Sequence, residues 1–427
     1  MPIDEADVEQ EQMHFANVIA TFQQYASYAL TANNRRRKDI YVLPKADQDL
    51  LTNLGYKEKL AEVDKAIFVN ATFLNQIVDN PEIFGHNIDD ECGELHDDSI
   101  SQPNGSQSHG DHGHSHSHDH SHGDHSHSHS HSTSEGHSHG SHIHADPSGS
   151  RRRPYRSNEG DMDKLRSTLK QFVRDWSEEG KVERDVCYEP MKDALIKHFQ
   201  NIPTAERGKL RVLVPGAGLG RLAWDIANMG FACQGNEFSH YMLLASFFIL
   251  NRTETINQHT IYPYVHSFSN IRDKAALLRG VTIPDVNPSS LPQNSNFSLV
   301  AGDFEEIYGA EEHEEGDPQA GEWDAIMTCF FIDTAKNIVN YLRIIHRILA
   351  PGGVWINLGP LLWHWENNTT NDPSVELSLD EVKELARQIG FEISNERTID
   401  TTYTNNSQSM LGYVYQAAFW TATKKAV

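Results

Sequence analysis

The sequence predicts an α/β fold: an open, mostly parallel sheet covered by helices, preceded by a helical region. Three observations carry this. At 211–237 a short apolar run, a glycine turn, an amphipathic stretch and a second short run ending on Glu237 read as strand, turn, helix and strand. From Leu210 onward, apolar runs of strand length alternate with helical stretches, as in a parallel sheet with covering helices. Later, a helical stretch at 337–349 meets Pro351-Gly352-Gly353 and a further apolar run, 354–357.

From the N-terminus, Phe15, Val18, Ile19, Phe22, Tyr25, Ala26 and Ala29 recur at offsets of three and four and predict an amphipathic helix over 12–32. Two more helical stretches fill 45–80. Leu50, Leu51 and Leu54 belong to the first; Leu60, Val63, Ile67, Phe68 and Leu74 belong to the second, which Asn80-Pro81 ends. Residues 1–85 thus form a helical region. No Lys or Arg occurs from Ala66 to Ser150, and His109 to His144 is built almost wholly of His, Ser, Gly and Asp, often strictly alternating. Such a tract has almost nothing to bury, so residues 86–157 are expected to be a disordered insert. Its neutral imidazoles would take up divalent metal adventitiously. A solvated loop and a metal-buffering segment are both open readings.

The third part, 158–427, begins with a helix. Leu165, Leu169, Phe172, Val173 and Trp176 share one face, and Gln171 and Arg174 share the opposite one. After the Glu237 strand a helix is expected at 239–250, a Pro/Asn/Ser-rich loop at 281–296, and a strand at 297–301 leading to Asp303. An acidic, solvated insert follows at 305–317, then a buried strand at 323–331. The last strand, 413–420, would close an antiparallel hairpin.

Composition narrows the function. The formal net charge of −24 argues against a nucleic-acid partner held by phosphate neutralisation. Cys92, Cys187, Cys233 and Cys329 lie far apart, with no metal-ligand spacing and no disulfide framework, which fits a reducing compartment. The acidic N-terminal residues lack the apolar core of a secretory signal. The most apolar run, Met242 to Leu250, is far short of the ~20 residues a bilayer requires. The expected setting is cytosol or nucleus, with no membrane partner.

The glycine turn indicates the cofactor. Gly216, Gly218 and Gly220 alternate, and Arg221 stands where a dinucleotide fingerprint would place its third glycine. This G-x-G-x-G pattern suits S-adenosylmethionine, which has no pyrophosphate to seat on a helix N-terminus. Glu237 lies about 20 residues on, the expected spacing of a ribose-binding carboxylate. In open parallel sheets ligands bind beyond the carboxyl ends of the strands. The candidates there are Gly216, Glu237, Asp303, the segment Cys329 to Asp333 and the segment Asn357 to Trp365. Asp303 is either an adenine contact or a helix cap before Phe304. Asp333 is either a cap before Ala335 or a substrate contact. His364, set between Trp363 and Trp365, is either structural or substrate-facing.

Four segments then combine: Ser167-Thr-Leu-Lys-Gln171-Phe-Val-Arg174-Asp-Trp-Ser-Glu, Val214-Pro-Gly-Ala-Gly-Leu-Gly-Arg-Leu222, Gly235-Asn-Glu-Phe-Ser239 and Leu361-Leu-Trp-His364. Together they resemble the carnosine N-methyltransferase family, over the N-terminal helices and from about Ser157 onward, leaving out the His tract and the acidic insert at 305–321. The resemblance implies a Rossmann-like class I methyltransferase sheet, mostly parallel with an antiparallel last strand. It implies transfer of a methyl group from S-adenosylmethionine to the imidazole of a histidine-containing dipeptide, giving a product such as anserine. Gln171 and Arg174 would reach over the cofactor, with Arg174 pairing with the methionine carboxylate. Gly216 would contact it through the backbone, Glu237 would hold the ribose, Asp303 and Phe304 would frame the adenine, and Cys329 would lie against it. Asp333, His364, Tyr413 and Tyr415 would hold the dipeptide, Asp333 or His364 fixing the imidazole tautomer. A homodimer through the N-terminal helices is a further implication. Methylation of histidine within proteins or peptides stays open, as does metal buffering by the His tract.

Overall fold

The structure is a computed structural model that describes residues 5–79, 155–309, 319–369 and 373–424. The His-rich tract and most of the acidic stretch at 305–317 lie outside the described residues. The chain opens with α1 (Glu5–Tyr41), α2 (Lys45–Asn53) and α3 (Tyr56–Ile77). The expected stripe on α1 is buried at Phe15, Val18, Ile19, Phe22, Tyr25 and Ala29. On α3, Phe68 faces solvent, because Leu60, Val63, Ile67 and Leu74 already fill the buried face. No residue of α2 is buried, so Leu50 and the adjoining Leu54 are exposed too.

Two long helices follow, α4 (Glu159–Trp176) and α5 (Lys181–His198). A capping box starts α4: Asn158 accepts from Asp161 N–H, and the Asp161 carboxylate accepts from Asn158 N–H. The helix α5 is not signalled by the sequence. Pro190 sits inside it, and Cys187, Tyr188, Met191 and Leu195 form only a narrow buried stripe. The α/β part continues with β1 (Arg211–Pro215), α6 (Arg221–Asn228), β2 (Ala232–Glu237), α7 (His240–Asn251), β3 (His259–Ile261), α8 (Lys274–Leu277), β4 (Val281–Ile283), β5 (Phe297–Ala301), α9 (Phe304–Tyr308) and β6 (Trp323–Cys329). It ends with α10 (Ile338–Ile348), β7 (Leu349–Gly359), α11 (Leu379–Ile389), β8 (Phe391–Thr401) and β9 (Tyr415–Lys424). The antiparallel pair β3–β4 replaces part of the loop expected at 281–296.

The main sheet runs β5-β2-β1-β6-β7-β9-β8. β5, β2, β1, β6 and β7 are parallel, and β9 is antiparallel to both β7 and β8. This is the class I methyltransferase arrangement expected from the sequence. Alternation along the strands splits the core in two. Val212, Val214, Met327 and Ile356 pack with α5 and α6 on one face. Leu213, Ile326, Trp355 and Trp420 pack with α10 and α11 on the other.

The N-terminal helices dock on α4 and α7. Phe22 stacks on Tyr241 at 5.8 Å, and Phe73 meets Phe172 and Phe248 edge-on at 5.1 and 5.6 Å. A buried polar chain fixes the docking: Asn70 Nδ2 donates to Tyr25 OH at 2.8 Å, and Asn70 Oδ1 accepts from Tyr262 N–H at 2.7 Å. The sheet order reverses between β1 and β6, so the crevice of such folds opens beyond the C-terminal ends of these two strands. α4, held by α1 and α3, presents its last turns there.

Candidate active site

Each glycine after β1 adopts a left-handed backbone, with φ of +65° at Gly216, +56° at Gly218 and +79° at Gly220. Gly216 has a second constraint, since a side chain there would start 2.6 Å from the Phe331 ring. Gly216→Ala should therefore cost about 1–2 kcal/mol from backbone strain alone, read as a lower urea midpoint. A midpoint equal to wild type would show that the loop does not need this conformation.

Glu237 stands at the end of β2 and organises the loop. Its carboxylate accepts from Gly218 N–H at 2.8 Å, Phe238 N–H at 2.9 Å and Ser239 N–H at 2.8 Å. Gln171 reaches the same loop from α4; its Nε2 lies 3.6 Å from where a Gly218 side chain would begin. Gln171 Nε2 donates to Asp175 Oδ2 at 3.0 Å, and Arg174 Nη1 donates to Asp175 Oδ1 and Tyr188 OH, both at 2.9 Å. Arg174 is 3% exposed; its Nη2 has no hydrogen-bond partner, and its Nε makes no hydrogen bond but faces the Glu183 carboxylate as an ion pair at 3.5 Å. Burial opposes its charge, but Tyr188 and Asp175 outweigh that, and the group is held well above its usual pKa. A buried guanidinium with an unbonded Nη2 suits a carboxylate ligand. A cavity of about 260 Å³ opens beside it on the α5 side, lined among others by Lys170, Val186, Tyr264, Thr402 and Asn405; the glycine loop, Glu237 and Asp333 do not line it. Burial pushes the Cys329 thiol up to about 12, and nearby Arg174 opposes that rise.

Asp303 caps α9, accepting from Glu305 N–H at 2.7 Å and Glu306 N–H at 3.3 Å. The Phe304 ring lies in the core against Tyr308, Phe331 and Tyr341. On the other side of the crevice, Asp333 is 3% exposed. Its Oδ2 accepts from Leu362 N–H at 2.9 Å and its backbone oxygen accepts from His364 N–H at 3.1 Å, so it positions the segment carrying His364. Burial pushes its carboxyl up to about 7, against the Leu362 hydrogen bond. Burial also lowers the His364 pKa. The Tyr415 pKa is raised, by burial first and then by the charges of Asp333 and Tyr413.

Sequence reasoning passed over the residues that join the two sides. Phe330, after β6, holds φ at +53°. Its ring meets Tyr403 at 4.8 Å and Tyr415 at 5.7 Å, and Arg174 lies 4.7 Å from the Tyr403 ring centre. An aromatic bridge thus runs from Arg174 to the Asp333 side. A lone Phe after a strand, or a lone Tyr in a loop, carries no pattern that would mark it. Among the described residues no cluster of His, Cys, Asp and Glu could hold a metal ion.

The comparisons identify the family. The family model for carnosine N-methyltransferase matches residues 151–426. The Mus musculus protein named carnosine N-methyltransferase is 51% identical over 265 residues, which is 62% of this chain and 64% of its own length. That of Schizosaccharomyces pombe is 47% identical over 268 residues, 61% of this chain and 70% of its own. That of Dictyostelium discoideum is 44% identical over 263 residues, 61% of this chain and 54% of its own. The chain therefore spans under two thirds of the length of the mouse relative. With its sheet order, its glycine loop and a family match over most of its length, the chain belongs to the carnosine N-methyltransferase family.

Proposed function

We propose that this chain is an S-adenosylmethionine-dependent N-methyltransferase acting on the imidazole ring of carnosine or a related histidine-containing dipeptide, with anserine as the product from carnosine. The observation that carries it is the pairing of two half-sites across one crevice. One is Arg174, buried with its Nη2 unbonded, beside a left-handed glycine loop; the other is Asp333, buried and holding Leu362 N–H, with the Tyr403, Phe330 and Tyr415 rings running between the two. When bound, S-adenosylmethionine supplies an electrophilic methyl group. Arg174 and Gln171 would hold its amino-acid end, Glu237 its ribose, Asp303 and the backbone at Phe304 its adenine, with Gly216 and Cys329 alongside.

The chain's own task is then orientation. A neutral imidazole predominates at neutral pH, its pKa being near ~6.5. No strong base is required. Asp333, with His364, Tyr413 and Tyr415, would fix the acceptor ring in one tautomer and one orientation, which can remove roughly 7–11 kcal/mol of barrier. The test is radiolabelled methyl transfer to carnosine, free histidine and histidine peptides side by side. The expected result is label in carnosine above the other two. Label only in peptides would replace the dipeptide reading with peptide methylation, and label in none would end it.

We also propose a homodimer through the N-terminal helices, where Tyr41, Val42, Leu50 and Leu54 are exposed. The setting we propose is cytosol or nucleus, with any metal on the His tract adventitious.

A further inference from the structure

The connection between β8 and β9 lies over the buried face of Arg174. Thr402, Thr404 and Asn405 line the cavity beside that guanidinium. One side chain from α5 holds this roof. The Glu183 carboxylate accepts from Thr402 Oγ1 at 2.5 Å, Thr404 N–H at 2.7 Å and Asn405 N–H at 3.0 Å, and its Oε1 lies 3.5 Å from Arg174 Nε. These bonds bracket Tyr403, whose ring lies between Arg174 and Phe330. Two residues here carry unfavourable backbone: Thr404 holds φ at +51° and Phe330 holds +53°. A β-branched residue in the left-handed region is a true outlier, and such strain persists only where surrounding contacts over-determine it. At Thr404 those contacts are the bonds to Glu183. Beyond them the loop is tied again, by Arg279 Nη2 to Asn406 Oδ1 at 3.1 Å and Met410 N–H to the Asn270 oxygen at 2.8 Å.

We propose that Glu183 is a positioning residue that latches 402–405, so that Tyr403 closes the crevice between the guanidinium of Arg174 and the acceptor side at Phe330. This rests on the proposed function for what is bound, but not for the latch itself. With Glu183 removed, three donors lose their acceptor, Thr404 can leave its left-handed conformation, and Tyr403 can swing off Arg174. Both half-sites then loosen, although no group that touches the acceptor has changed.

The test uses the full chain with Glu183→Ala, Glu183→Gln, Tyr403→Phe and Tyr403→Ala, each checked by melting temperature. Hydrogen exchange reads the latch directly: Thr404 and Asn405 amides are protected in wild type and exchange freely in Glu183→Ala. Calorimetry with S-adenosylhomocysteine reads its consequence. Glu183→Ala should weaken binding by about tenfold, the worth of one to two net hydrogen bonds. Tyr403→Ala should do the same. Tyr403→Phe, which keeps the ring, should bind within about threefold of wild type, since only a hydroxyl is lost. Glu183→Gln keeps one acceptor and should fall between. The Glu183→Ala/Tyr403→Ala double variant should be no weaker than either single variant, since both break one contact chain. Additive losses, or unchanged exchange at Thr404 and Asn405, would overturn the proposal. Failure of the wild-type chain to bind the thioether would instead strike the proposed function and leave the exchange result standing.

Discussion

Asp285→Ala should lower unfolding free energy by about 3–5 kcal/mol, the cost of stranding buried charge. The Asp285 side chain is 4% exposed and lies between the side chains of Arg184 and Arg221, 2% and 7% exposed. Arg184 Nη2 donates to it at 2.5 Å and Arg221 Nη1 at 2.6 Å. Each arginine also ties backbone to the site. Arg184 Nη1 donates to the Arg174 and Ser177 oxygens at 2.8 and 3.2 Å, and Arg221 Nη1 donates to the Asp175 oxygen at 2.8 Å. The trio therefore joins the end of α4 to the start of α6, where the glycine loop exits. Arg221, the residue that breaks the dinucleotide fingerprint, is here the anchor of that joint. Trp176 and Trp224 lie 5.0 and 5.6 Å from its guanidinium, so tryptophan fluorescence in urea reports on the trio itself. Burial pushes the Asp285 carboxyl up, but Arg221 and Arg184 outweigh it and the net shift is downward. A depressed carboxylate stabilises above its unfolded pKa of ~3.9 and ceases to as pH falls through its folded value. The gap between wild type and Asp285→Asn should thus be full at neutral pH and narrow below about pH 4. A loss of under ~1 kcal/mol at pH 7 would mean the trio is screened like a surface pair.

Asp285 also marks the limit of what the sequence made legible. The elements of the sheet announced themselves because their signals are local. Val212 to Val214 and Ala325 to Met327 are short apolar runs, and Gly216, Gly218 and Gly220 stand where the backbone turns left-handed. The acid at Glu237 could be placed because the unit that carries it has a fixed length. Helix α5 could not, since Pro190 reads as a breaker and its buried stripe is narrow.

The joints of the site were illegible for a different reason. Asp285 meets Arg184 across 101 positions and Arg221 across 64, and Glu183 meets Thr402 across 219. No periodicity links residues so far apart. At Asp303 the residue was legible and its cap role was one of two open readings; the hydrogen bonds to Glu305 and Glu306 are those of the cap. At Phe304 the ring lies in the core, where only tertiary packing could place it.

Asp333→Asn should reduce turnover by about 10²–10³-fold, the size of effect seen when one orienting or charge-stabilising contact is lost. Affinity for S-adenosylhomocysteine should stay within about threefold, because the residue lies across the crevice from Arg174 and Glu237. Asparagine keeps an oxygen for Leu362 N–H, so the segment leading to His364 should hold its place and the change is confined to charge. On the proposed reading, the carboxylate accepts from the distal N–H of a neutral imidazole and offsets the charge that ring acquires on methylation. Two groups must then be unprotonated: Asp333, pushed up to about 7, and the free acceptor, near ~6.5. The log of kcat/KM should rise with a slope approaching ~2 at low pH and flatten above about pH 7, since that ratio reports free enzyme and free substrate. Asp333→Asn removes one of the two titrations, so its acid limb should have a slope of ~1 and break near the acceptor's own pKa. The same carboxyl bears on stability with the opposite sign to Asp285. Its folded pKa lies above its unfolded one, so its contribution is full below pH ~4 and is lost between there and about 7. Asp333→Asn should therefore be more stable than wild type at pH 8 while being far slower, a trade expected of a charge buried for chemistry. An acid limb unchanged by the substitution, or a loss of thioether affinity as large as the loss of turnover, would remove Asp333 from the acceptor side of the site.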